Sequence, residues 1–363
     1  MQTEIETLQA LLQKDPSNFQ ARRELSIMLA NNGFNEEALS NLQYLLKYFP
    51  EDAELLYNIG ILQEKLKDFQ SAKISYEKAI EIMPQDDFYY NLGEVLVTLE
   101  EWDSAINAFN SVLQNDSNDG NCYFNIGLCY LNKKETNKAI DFFQRAVELN
   151  PKDIYALFNL GNIYQNIGLT NFAVENYKKV LEITPDYSWA YFNLASIAYQ
   201  NENFEEAKDY LLKTIQYNNQ DIEAYKLLTK ILVKNEEIEE VITLLETRLS
   251  KEENGDIYYM LSQVYKYVRK EDDYIEALEN ALDNYLTLSY PKDIVKKELE
   301  RVSKNSNSYS TKEDLEEYNN YEEDEEDSDF DEEDFEIENF EDEDVEEDDF
   351  DDDKDEYQED DEE

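Results

Sequence analysis

Apolar positions along most of this chain follow a helical spacing that stops and restarts at regular intervals. In residues 120–153, Tyr123, Ile126, Gly127 and Tyr130 fall at i, i+3, i+4 and i+7. The polar stretch NKKETN (132–137) follows, and then Ala139, Phe143 and Ala146 fall at i, i+4 and i+7. Each run reads as one amphipathic helix, so the unit predicts two helices joined by a short polar turn. Pro151 closes it, because proline cannot continue the helix that it follows.

The same pattern recurs in phase. Pro16, Pro50, Pro84, Pro151 and Pro185 are separated by 34, 34, 67 and 34 residues. Ala38, Ala72, Ala105, Ala139, Ala173 and Ala207 are separated by 34, 33, 34, 34 and 34. Four residues after each alanine stands a large side chain: Leu42, Tyr76, Phe109, Phe143, Tyr177 and Leu211. Self-similarity at this period predicts an all-α solenoid of stacked helix pairs. Five octets also align, LYNIGILQ (56–63), YYNLGEVL (89–96), YFNIGLCY (123–130), LFNLGNIY (157–164) and YFNLASIA (191–198). Gly127 and Ala139 have little or no side chain, so the paired helices can approach closely.

These residues resemble the tetratricopeptide repeat, most clearly in LFNLGNIYQNIGLTNFAVENYKKVLEITP (157–185). The resemblance implies a right-handed α-solenoid of antiparallel hairpins whose concave face holds peptides, and it implies no chemistry by itself. The expected organisation is an N-terminal capping helix or half repeat over 1–18, then six units at 19–52, 53–85, 86–119, 120–153, 154–187 and 188–221. Two divergent units follow over 222–288, with Thr229, Val241 and Tyr274 at positions expected to be small. Terminal units of a solenoid are atypical because their outer faces meet water. A capping helix is expected over 289–305 and a disordered acidic tail over 306–363.

On each first helix the glycine faces the partner helix, and the asparagine two residues earlier is turned about 200° away. The family's architecture puts that direction in the concave groove. Asn58, Asn91, Asn125, Asn159 and Asn193 would then form a ladder, each preceded by an aromatic: Tyr57, Tyr90, Phe124, Phe158 and Phe192. A carboxamide can pair with both the N–H and the C=O of an extended peptide. Tyr155 and Trp189, shortly before their rungs, add large contact residues of the kind enriched at interface hot spots. The alternative is structural, with the asparagines bonding to a neighbouring repeat and the aromatics packing between first helices. Trp102 is expected in the core. A clamp for a terminal carboxylate needs lysines and arginines in the groove, and only Arg23 fits beside Glu54, Asp87 and the asparagines. A neutral or basic, partly apolar protein or peptide partner is therefore favoured.

Charge changes the picture at the C-terminus. The net charge is −54, and residues 313–363 hold 35 acids and a single base, Lys354. Such charge density opposes compaction. Phe330, Phe335, Phe340, Val345 and Phe350 recur every five residues there, matching neither helix nor strand. They read either as a solvating tail's scattered aromatics or as contact motifs for a basic partner, and the tail is expected to stay free of the acidic repeats.

Other classes are excluded by composition. The chain has no histidine, no Gly-rich phosphate loop and no P-loop lysine motif, so no enzyme activity and no cofactor are expected. Cys122 and Cys129 lie seven apart on one predicted helix, about 10 Å along its axis and too far for a disulfide. Phosphate backbones need a cationic surface, so direct nucleic-acid binding is not expected. The N-terminus is polar and no run approaches a membrane span, which reads as a soluble, cytoplasmic protein without a membrane partner. An adaptor or scaffold is the first functional reading. A chaperone or storage factor for basic proteins working through the tail, and a regulatory subunit of a separate enzyme, are the alternatives.

Overall fold

The computed structural model describes residues 2–308. The chain divides into two units, residues 1–290 and 291–363. Among the described residues of the first unit every regular element is a helix. A leading helix α1 (Gln2–Lys14) precedes eight pairs. They are α2 (Phe19–Asn31) with α3 (Asn35–Leu46), α4 (Ala53–Lys65) with α5 (Phe69–Ile82), α6 (Asp86–Thr98) with α7 (Trp102–Asn115), and α8 (Gly120–Asn132) with α9 (Thr136–Leu149). The series continues with α10 (Ile154–Asn166) and α11 (Thr170–Ile183), α12 (Ser188–Gln200) and α13 (Phe204–Tyr217), α14 (Ile222–Lys234) and α15 (Ile238–Leu249), and α16 (Gly255–Tyr267) and α17 (Glu271–Asp283). The 34-residue phase therefore continues through the divergent units, where Thr229, Val241 and Tyr274 are all buried.

In the second unit the described residues form α18 (Lys292–Ser308), entered from Pro291. It begins three residues later than the sequence pattern suggested and runs past Asn305, where the apolar periodicity stops.

Local chemistry sets the helix boundaries. The side chains of Asn18, Asp52, Asp119, Asp153, Asp221 and Asn254 each accept a hydrogen bond from the backbone N–H three residues on, capping α2, α4, α8, α10, α14 and α16. A cap of this kind contributes about 1 kcal/mol. Each pair then turns through one residue in the left-handed region. Gly33 and Gly168 take that place with φ of 77°. Lys67, Glu100, Lys134, Glu202, Glu236 and Arg269 take it in the other six units, with φ between 57° and 61°. The following N–H reaches back to close the turn, as from Glu101 to the Leu96 carbonyl at 2.8 Å.

The core runs along the seam between paired helices. A Cβ built on Gly93 would lie 2.6 Å from two ring carbons of Phe109, and one on Gly161 would lie 2.5 Å from the Tyr177 ring. Tyr76, Phe109, Phe143 and Tyr177 are completely buried against the bare backbone that faces them. Where the glycine is replaced, the residue sixteen positions on is leucine: Ser26 with Leu42, Ala195 with Leu211, Thr229 with Leu245 and Ser262 with Leu278, all buried. The seam thus holds a roughly constant volume while its two sides trade atoms. Ion pairs tie the turns of successive units, Lys73 to Glu101 at 2.6 Å, Lys133 to Asp103, and Lys208 to Glu237.

Candidate functional site

The five predicted rungs lie on α4, α6, α8, α10 and α12. Their aromatics are half-buried, and the first four pack on the ring that fills the glycine notch of their own unit. Tyr57–Tyr76, Tyr90–Phe109 and Phe124–Phe143 have centroids 5.6 Å apart, and Phe158–Tyr177 5.7 Å. Tyr57 also stacks on Phe88 at 4.4 Å, and Phe158 meets Tyr187 edge-on at 5.3 Å. Tyr57 and Phe158 are therefore held from behind by their own second helix and from the side by a ring at the start of the next unit's first helix.

The asparagines divide according to what the preceding rung offers. The Asn91 amide donates to the Tyr57 hydroxyl at 3.0 Å, and the Asn125 amide donates to the Tyr90 hydroxyl at 3.2 Å. Phe124 and Phe158 have no hydroxyl to offer. The Asn159 amide turns instead to its own helix, donating to the Tyr155 carbonyl at 3.0 Å. The Asn193 amide donates to Asn162 Oδ1 at 3.1 Å, an oxygen that also accepts from the Tyr177 hydroxyl at 2.8 Å. Asn58 follows Arg23 rather than an aromatic, and donates to the Glu54 carbonyl at 2.8 Å. Three of the five amides thus bind the unit before them through a side chain; for Asn91 and Asn125 the sequence signal is a tyrosine 34 or 35 residues upstream, and for Asn193 the partner is Asn162.

One helical turn before the ladder runs a row of exposed residues, Glu54, Asp87, Asn121, Tyr155 and Trp189. Tyr155 is 56% exposed and Trp189 55%. Arg23 is engaged by Asp52, so the one cation that fitted a carboxylate clamp is already paired. Trp102 is half-buried against the core around Ala105 and Phe109. A cleft of about 640 Å³ opens beside the foot of the ladder, lined by Phe49, Ala53, Glu54, Ile82 and Met83. Phe330, Phe335, Phe340 and Phe350 lie outside the described residues.

Electrostatics here favour neutral, unreactive side chains. Burial pushes the Tyr57 hydroxyl above its usual range, and the carboxylates of Asp87, Glu64 and Glu94 push it further. Burial also raises Tyr90, Tyr76 and Tyr177. Cys129 is pushed up to about 12 by burial, and Cys122 higher by burial and the nearby Asp119. Such thiols stay protonated and are poor nucleophiles. Among the described residues no group of three or more acidic or cysteine side chains is placed to hold a metal ion, and no helix is long and apolar enough to cross a membrane.

Residues 53–86, 120–153, 142–171 and 170–231 each match sequence models of the tetratricopeptide repeat. These stretches are tetratricopeptide repeats. Solved structures similar to this chain include MamA, residues 41 to the end, from Desulfovibrio magneticus RS-1, which is 27% identical with a TM-score of 0.45 over 47% of this chain and 97% of that one. YrrB, described as a TPR protein with an unusual peptide-binding site, is 27% identical with a TM-score of 0.43, over 50% and 95%. Yeast Tom70 is 19% identical with a TM-score of 0.49, over 78% and 62%. No curated protein matches the chain. Repeats of this family support a protein-interaction scaffold.

Proposed function

We propose that this chain is a non-catalytic adaptor that holds an extended, neutral to basic and partly apolar segment of a partner protein along the ladder face. The observation that carries the reading is the pair of exposed aromatics, Tyr155 and Trp189, standing one helical turn from Asn159 and Asn193. Large rings left in water beside fixed amides offer apolar contact at small rotamer cost, with amide oxygens alongside to accept from a peptide backbone. The bias against acidic partners comes from residues 53–221, which hold 25 acids and 13 bases.

The test is to select peptides from a random 12-residue display library (about 40 Å when extended) on the full chain, then measure their affinity for Tyr155→Ala, Trp189→Ala and Asn159→Ala variants. These side chains are not enclosed by the core, so melting temperatures should hold while affinity falls. Selected peptides that bind all three variants as they bind the parent would end this reading. The acidic segment 306–363 lies almost wholly outside the described residues, and its density of carboxylates supports a second activity toward basic proteins. Deleting it should remove that activity and leave ladder binding intact.

A further inference from the structure

From α4 to α14 the first helices change charge in order along the stack, whereas α2 before them carries Arg22, Arg23 and Glu24. α4 carries Glu54, Glu64 and Lys65, and α6 carries Asp86, Asp87 and Glu94 with no base. α8, α10 and α12 carry no charged residue at all, in a chain of which 33% is charged. α14 reverses the sign, with Lys226, Lys230 and Lys234 against Glu223. The acidic end is coherent in space as well as in sequence, since the Asn91 amide of α6 donates to the Tyr57 hydroxyl of α4 at 3.0 Å and links the two acidic helices. At the far end Lys230 and Lys234 are exposed and lie over the rings of Tyr199 and Phe204. Between the two ends stand Tyr155 and Trp189.

On the ladder-face reading above, we infer that the bound segment is itself divided, with cationic residues over α4 and α6, large apolar residues over α8 to α12, and acidic residues over α14. Each match follows from charge complementarity, which fixes register and rejects wrong partners more than it adds affinity. From α6 to α14 is four rungs, about 40 Å at about 10 Å per packed helix. An extended chain covers that in about twelve residues.

The probe is a synthetic 14-residue peptide (about 46–50 Å when fully extended), net neutral, with lysine and arginine at one end, leucine and phenylalanine in the middle, and glutamate at the other. Its control is a scramble of the same composition. The Glu54, Asp87 and Lys230 variants below leave the acidic C-terminal segment unchanged, so they separate binding at the ladder face from binding of the cationic end to that segment. The divided peptide should bind the full chain about fivefold or more tightly than the scramble, the scale of several exposed charge contacts. Glu54→Gln with Asp87→Asn, or Lys230→Gln, should bring it toward the scramble. Equal affinity of the two peptides, or indifference to those variants, would overturn the inference. If both peptides still lose affinity in Tyr155→Ala and Trp189→Ala, the ladder face stands and only its charge order falls. If neither peptide responds to those two variants, the face reading falls and the inference with it.

Discussion

Replacing Gly93 by alanine tests the seam that holds each helix pair. The added Cβ would lie 2.6 Å from Cε1 and Cζ of Phe109 and 2.9 Å from Cδ1, where carbon atoms prefer about 3.5–4.0 Å. The ring must retreat by about 1 Å, yet Phe109 is completely buried. Overpacking of this kind costs about 1–3 kcal/mol, and the gain of alanine over glycine in a helix returns about 0.8–1.0 kcal/mol. The Gly93→Ala variant should therefore lose about 0–2 kcal/mol. Phe109→Leu alone should leave a gap over the glycine and cost about 1–2 kcal/mol. The double variant reproduces the pairing of Ala195 with Leu211, both fully buried, so the new methyl fills the gap. It should be more stable than the sum of the two changes by about 0.5–3 kcal/mol. Urea unfolding of the four full-length proteins, followed by helical circular dichroism, measures the cycle. Additivity within about 0.3–0.5 kcal/mol would show that the two positions do not share one volume and would refute the reasoning.

Glu202 holds φ of 60°, so Glu202→Gly should raise stability by about 0.5–1 kcal/mol while Glu202→Gln does not, as read from urea midpoints. Tyr90→Phe removes the hydroxyl that accepts from Asn125; it should cost about 0.5–1.5 kcal/mol, and a second change, Asn125→Ala, should then cost less than it does in the parent. Because burial raises both thiols, Cys122 and Cys129 should remain protonated at pH 8, and a disulfide reagent should label them only on unfolding. Fast labelling of the folded chain would contradict that environment.

Much of this protein is legible in a single unit, because the forces that build a unit are local and recur every 34 residues. The contact of Gly127 with the Phe143 ring, sixteen residues on, is shown by the packing, whereas helix spacing and the polar turn both lie within one hairpin. The capping carboxylates belong to the same class, since Asp119 and Asp153 bond three residues along. The left-handed turn residue is less visible: at Lys134 or Glu202 no glycine marks it, and the closing hydrogen bonds of the hairpin impose the conformation. The ladder's position on the first helices followed from helical geometry, but the direction of each amide did not. Asn91 and Asn125 reach the previous unit because Tyr57 and Tyr90 bring a hydroxyl beside them, while after the phenylalanine rungs Asn159 turns to its own helix and Asn193 reaches the previous unit at Asn162 instead. That choice is made between residues 34 or 35 apart, which only stacking brings within hydrogen-bond distance. Periodicity alone therefore determined the elements and their pairing, whereas the polar contacts between units were decided by tertiary packing, which sets the partner each buried donor can reach.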